Sequence, residues 1–233
     1  FLCLSRSVRD TAAYLDVVNG SRPGEPYYSP KPATPFLDEA STPPGKLKIA
    51  MVTDSPTGCT PLDSEVAAAV QATATLLQEL GHRVEAEPIP YDFWPLMDIY
   101  MRITAVQTAG RIGRLKTVIG RAPEGDELEP LYFSMIEKGR AISGVQHFND
   151  IEAMRKTCCD MVEKMAAYDA WLMPTIALPA REHGWYDMAL DVETYNKTRM
   201  LPDCAFLAPM NASGQPAISL PLHSTKGGLP IGM

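Results

Sequence analysis

Positive charge is scarce in this sequence: 21 Lys and Arg stand against 28 Asp and Glu, for a formal net charge of -7. A surface that grips a phosphate backbone needs the opposite balance, so nucleic acid is not expected as a partner. The phosphate-cradling loops are missing too, since neither Gly-x-Gly-x-x-Gly nor Gly-x-x-x-x-Gly-Lys-Ser/Thr occurs. Histidines are few and scattered: His82, His147, His183 and His223 never pair at i, i+3 or i, i+4. A zinc site usually grows from such a local pair, so no metal and no other cofactor is expected. Cys3, Cys59, Cys158, Cys159 and Cys204 form an odd set, and Cys158 and Cys159 fall in a helical pattern that points their side chains apart. They make no disulfide framework, which suits a reducing, cytoplasmic setting. The longest uncharged stretch, residues 204–225, is broken by Pro209, Pro216 and Pro221, so no membrane helix is expected from it. No charged segment leading into an apolar one marks a secretory leader.

What remains is an ordinary globular composition, 45% hydrophobic and 21% charged over 233 residues, enough to bury a core. Proline is in excess, 21 residues, so the loops are expected to be long and shaped. The chain starts at Phe1 rather than at a methionine, and Met233 follows Gly-Leu-Pro-Ile-Gly, a strand-like run cut in mid course. It reads as an internal piece of something longer.

Along the chain, residues 1–20 carry a short helix over 7–18, with Ser5 or Ser7 as cap and Gly20 as its left-handed stop. Residues 21–46 form a Pro-rich connection with neither helix nor central strand, which Tyr27, Tyr28 and Phe36 would pin to the body. Residues 47–87 read as strand (47–53), helix (62–80, with Thr60, Pro61 and Asp63 as its cap and Gly81 as its stop) and strand (82–87). That is a βαβ unit with parallel strands. Residues 92–168 form a helical insert of three helices, 92–115, 128–142 and 151–168, the last capped by Asn149 or Asp150. Residues 170–233 hold a short strand (170–174), a broken loop (177–192), one or two helical turns (193–201) and a hairpin pairing 217–222 with 229–233. The sum is an α/β fold, a mixed sheet covered by helices.

No catalytic centre emerges from these residues. Ser143 and Ser213 each precede a glycine, but neither sits in Gly-x-Ser-x-Gly, and Ser143 reads more simply as a turn after a helix. Cys158 lies on an apolar stripe between Met154 and Met161, the place of a structural cysteine. The uncharged run from Phe206 to Pro221 suits either a buried loop lining a shaped cavity or a tight connection in the core.

Three separated segments, in order, carry a resemblance. Ser5-Arg6-Ser7-Val8-Arg9-Asp10, then Lys48-Ile49-Ala50-Met51 with the helix to Gly81-His82, then Asn211, Gly214-Gln215-Pro216-Ala217, Ser219, Pro221 and Gly228-Leu229-Pro230-Ile231-Gly232 are similar to the amidase signature family. Pro26-Tyr27-Tyr28 and Pro35-Phe36-Leu37 resemble most the subgroup typified by 6-aminohexanoate-cyclic-dimer hydrolase. The resemblance implies one incomplete α/β/α domain over residues 1–233, the later part of a family member. It implies hydrolysis of a small-molecule amide, linear or cyclic, by a serine, a cis-linked serine and a lysine that precede Phe1. No catalytic residue carries over to this chain. The preceding part of the same protein is then the implied partner, and a homodimer stays open. By position in the family, the helix from residue 92 and the segment 211–216 would wall the acyl pocket, with Asn211, Ser213, Gly214, Gln215, Phe93, Trp94 and Met97 as substrate-binding residues. The rival reading is a noncatalytic α/β binding or scaffold module on a degenerate amidase fold. The resemblance also implies that this piece alone is inactive and, with edge strands such as 47–53 unpaired, poorly soluble.

Overall fold

Helix α1 (Val8–Val18) opens on its expected cap: Ser7 is extended and its Oγ accepts a hydrogen bond from Asp10 N at 3.1 Å. The computed structural model describes residues 3–58 and 61–233, and contacts divide the chain into two units, Phe1–Lys46 and Leu47–Met233. In the first unit the Pro-rich connection is not helix-free. A single turn, α2 (Phe36–Glu39), follows Pro35, and the Asp16 carboxylate accepts from Phe36 N at 2.7 Å and Leu37 N at 3.0 Å. A carboxylate brought from twenty residues away satisfies free amides that no local side chain reaches.

The second unit is built on three short parallel strands in the order β2-β1-β3, with β1 (Lys48–Met51) in the middle. β2 (Arg83–Ala86) pairs from Lys48↔Arg83 to Met51↔Ala86, and β3 (Ala170–Leu172) pairs from Ile49↔Ala170 to Met51↔Leu172. The expectation that 47–53 is an open edge is therefore corrected. A strand from beyond the helical insert returns to its free side, and the edges are β2 and β3. Parallel and antiparallel pairings are kept in separate sheets among the described residues, since the hairpin β4 (His223–Ser224) with β5 (Pro230–Ile231) stands alone. Its ladder continues at the turn through Thr225 N to Leu229 O at 2.8 Å, and at the open end through Leu220 and Met233, which exchange backbone bonds of 2.9 and 3.0 Å. Pro216 and Pro221 have no donors for a longer one.

Between β1 and β2 runs α3 (Ser64–Glu79), which buries Val66, Ala69, Val70, Thr73 and Ala74. Of the expected cap, Thr60 lies outside the described residues. Asp63 itself does the capping, accepting from Glu65 N at 2.8 Å, so the helix starts at Ser64 and Pro61 precedes it. At the other end Gly81 adopts φ +92°, and Gly81 N and His82 N bond back to Gln78 O and Leu77 O. That is a Schellman stop, which needs the left-handed conformation a glycine takes freely.

The insert is α4 (Phe93–Ile119), α5 (Pro130–Ala141) and α6 (Gly144–Met165). Ser143, expected as a mere stop, caps α6 by accepting from Gln146 N at 3.1 Å. Asp150 is accordingly no cap. It lies within α6, 2% exposed, where Arg102 Nε and Nη2 donate to its carboxylate at 3.0 and 2.7 Å. That pairing holds the Asp150 carboxyl below its ordinary range.

Gly139 marks the closest approach of α5 to α4. A Cβ there would stand 2.2 Å from Ala105 O and 2.6 Å from Ala105 C, both backbone atoms. Alanine favours a helix interior over glycine by about 0.8–1 kcal/mol, but prising two helices apart costs more. Gly139→Ala is expected to lose about 1–2 kcal/mol net. An unchanged urea midpoint would show that α5 slides freely on α4.

Candidate functional site

Because β1, β2 and β3 run parallel, the segments leaving them, 52–63, 87–92 and 173–191, all emerge at one end of the sheet. In open α/β sheets that carboxyl end is where ligands bind. The remaining chain is fastened there. Val52 N extends the ladder to Leu172 O at 2.9 Å, and Ala177 N donates to Asp203 O at 3.2 Å. Phe206, 1% exposed, packs with Val52 and Ala177. Trp94, the second residue of α4, donates from Nε1 to Thr57 O at 3.1 Å and so ties the β1 exit to the start of the insert.

Asp191 opens α7 (Val192–Tyr195), its carboxylate accepting from Glu193 N and Thr194 N. The chain then runs through a π-helical turn, Asn196–Met200, into α8 (Leu201–Cys204) and α9 (Leu207–Ser213). The expected pocket loop therefore begins later than the sequence suggested: Asn211 and Ser213 are the last turn of a helix. Pro209 does not break α9 because it sits in the first turn, where its missing N–H is no loss. Gly214 ends the helix at φ +73°, and its N bonds Met210 O at 3.0 Å. Ser213 Oγ donates to Met210 O at 3.3 Å and accepts from Gln215 N at 3.4 Å.

The sequence-predicted residues divide. Phe93 and Met97 of α4 are 3% and 1% exposed and share one apolar cluster with Tyr91, Leu96, Met161, Leu201, Ala205 and Ala208, with Met210 and Ala212 of α9 packed against it. The structure thus joins the start of α4 to α9. Trp94 stays outside that cluster, 42% exposed and edge-on to Phe93. Asn211 and Gly214 are exposed, and Ser213 and Gln215 half-buried, at the open end of α9.

Within the cluster one polar atom stands out. The Tyr91 hydroxyl is buried with no hydrogen-bond partner, and burial pushes its pKa up, so it is a neutral donor. Burial raises the Cys158 and Cys204 thiols too, which keeps both out of the reactive thiolate form. Among the described residues no three His, Cys, Asp or Glu side chains are grouped to hold a metal. A narrow cavity of about 120 Å³ opens beside the exit of β3, where Thr175 and Ser219 hydroxyls lie 2.6 Å apart. Gly232 fits closely there, as a Cβ would meet those hydroxyls at 2.7 and 2.5 Å and displace them.

Sequence reasoning missed a charged cluster around Asp203 of α8. Asp203, 1% exposed, accepts from Arg181 Nε and Nη2 at 3.1 and 3.0 Å and from Tyr186 Oη at 2.9 Å. Arg181 and Arg199 both lie over the Trp185 ring, at 4.4 and 4.5 Å. The one available signal was an Asp inside the apolar run Leu201 to Phe206.

The sequence pattern of the amidase family matches residues 3–233. The chain is 34% identical over 240 residues to 6-aminohexanoate-cyclic-dimer hydrolase of Pseudomonas sp. (strain NK87), covering 98% of this chain and 48% of that protein. It is 33% identical over 237 residues to the protein of the same name from Paenarthrobacter ureafaciens, again 98% of this chain and 48% of the other. A solved structure of 6-aminohexanoate cyclic dimer hydrolase superposes with a TM-score of 0.90 at 32% identity, over 98% of this chain and 49% of that one. The chain spans about half the length of the curated relatives it matches. With its α/β architecture shared at that level, the chain belongs to the amidase family.

Proposed function

We propose that the complete protein hydrolyses carboxamide C–N bonds of a small linear or cyclic amide through a serine acyl-enzyme, and that this chain supplies a wall of the acyl pocket. The observation that carries this is the meeting of α4 and α9 in one apolar cluster at the carboxyl end of the sheet. Phe93 and Met97 back that wall, Trp94 stands at its rim, and Asn211, Ser213, Gly214 and Gln215 close it from the end of α9. The nucleophilic serine, its bridging serine and a neutral lysine come from polypeptide preceding Phe1, the partner this chain requires. The serine oxygen attacks the carboxamide carbon while its proton passes through the bridging serine to lysine. Backbone amides hold the oxyanion. The C–N bond then breaks as the nitrogen takes the proton, and water cleaves the acyl-serine ester to the carboxylic acid. We place that reaction in the cytoplasm, the setting that the odd set of five cysteines in the sequence suits. No described helix is long and apolar enough to cross a membrane.

The test uses the complete protein, a panel of linear and cyclic aliphatic amides, and a fluorophosphonate that labels activated serines. Amine release together with a single adduct outside residues 1–233 is expected, and residues 1–233 alone release none. A panel without turnover and a protein without adduct would sink the hydrolase reading, and an adduct within residues 1–233 would overturn the placement of the nucleophile.

A further inference from the structure

Three arginines of the described residues are partly buried: Arg199, and Arg102 and Arg181 with side chains 34% and 30% exposed. Arg102 has its counter-ion, the buried carboxylate of Asp150. Arg199 enters none of the eight ion pairs among the described residues. Its Nε is buried without a hydrogen-bond partner, and its Nη1 reaches only the carbonyl of its neighbour Thr198, at 3.4 Å. The guanidinium is nonetheless held in place, lying over the Trp185 ring at 4.5 Å as Arg181 does at 4.4 Å. Asp203 answers only one of the two charges, and it is committed to Arg181 and Tyr186. The Trp185 Nε1–H is also buried with no acceptor. A half-buried cation with no anion is anomalous in a chain that carries seven surplus negative charges.

We infer that Arg199, held over the Trp185 ring, is a carboxylate-binding group. One uncompensated guanidinium matches a monoanion, and its planar fork matches the two oxygens of a carboxylate better than a tetrahedral dianion, which calls for more than one free cation. Stacking on the indole removes the freedom that an exposed arginine gives up on binding, so the fork is presented in advance. The π-turn that carries it, Asn196–Met200, is also tied to α4 through Asn196 Nδ2 and Met101 Sδ at 3.1 Å. The carboxylate comes either from a small solute or from an Asp or Glu of the polypeptide that completes the domain. Binding is read without turnover, so this inference and the proposed hydrolysis fail separately.

The probe is hexanoate, with 1-hexanol as an uncharged control that carries no amide bond, titrated into the complete protein while the indole N–H resonance assigned by Trp185→Phe is followed. A solute carboxylate gives a saturable shift with hexanoate alone, weakened about tenfold or more in Arg199→Gln. If the polypeptide supplies the carboxylate, hexanoate is silent and a crystal structure of the complete protein shows an Asp or Glu oxygen within hydrogen-bond reach of the guanidinium. Equal shifts with 1-hexanol, or silence together with a guanidinium that meets no carboxylate, overturn the inference.

Discussion

Asp203→Ala is expected to lower the stability of the protein by about 3 kcal/mol, because it removes the single anion from a cluster holding two guanidinium groups. Asp203 is 1% exposed and accepts three side-chain hydrogen bonds, two from Arg181 and one from Tyr186. Without it, Arg181 and Arg199 flank one indole with no negative charge between them. The Arg181 side chain is 30% exposed and can swing partly into water, which keeps the loss at the lower end of the range of about 3–5 kcal/mol for a broken buried pair. For a unit of this size the melting midpoint should drop by roughly 6–12 °C. Arg181→Met in the same protein separates charge from cavity. If the stranded cation is the cause, the double variant recovers part of the loss. Strictly additive losses would mean that the empty volume, not the charge, sets the cost.

The residues that could be read ahead of the structure are those whose partners are near in sequence. Ser7 caps α1 and Gly81 stops α3 because the groups they satisfy lie within a turn of them. The parallel pairing of β1 and β2 follows from one crossover helix. The third strand could not be placed so easily. Its pairing with β1 closes a loop of more than a hundred residues, and the three residues of β3 carry no signal of which neighbour they choose. Ionic partners were equally hidden. Asp150 looked like a cap by residue type, but Arg102, 48 positions away, drew it into the insert. Asp16 carried no local sign of a partner, since Phe36 and Leu37, whose amides it accepts, lie twenty and twenty-one positions away. The segment 206–213 was misread for a different reason. Proline, amide and small residues suggest a loop by composition, whereas Pro209 at the first turn and alanines at 208 and 212 suit a short helix by position. At the candidate site, the resemblance suggested the helix from residue 92 and the segment 211–216 as one wall; the structure brings the start of α4 and α9 into one apolar cluster, with Phe93 and Met97 sealed inside it.

Phe206→Ala is expected to cost about 3–5 kcal/mol, at the upper end for a buried aromatic, because the cavity it leaves cannot collapse. Phe206 is 1% exposed, and its buried neighbours are Val52 and Ala177, each fully buried, with Leu62, Ile89, Trp171, Met173 and Leu178 around them. These residues come from the exits of all three strands. Val52 and Ala177 are held by backbone bonds to Leu172 and Asp203, so they cannot move in to fill the space. Phe206 also precedes α9, whose Ala208 packs against the cluster of Phe93 and Met97. One side chain therefore fastens the candidate wall to the sheet, while the neighbouring positions fasten it to the insert. Phe206→Leu keeps most of the volume and should lose no more than about 1.5 kcal/mol. In urea, the alanine variant should show a lower midpoint with an unchanged slope, which marks lost packing rather than a changed unfolded state. A leucine variant as unstable as the alanine one would show that ring shape matters at this site more than filled volume. If neither variant shifts the midpoint, the carboxyl end of the sheet is not what holds α9 in place.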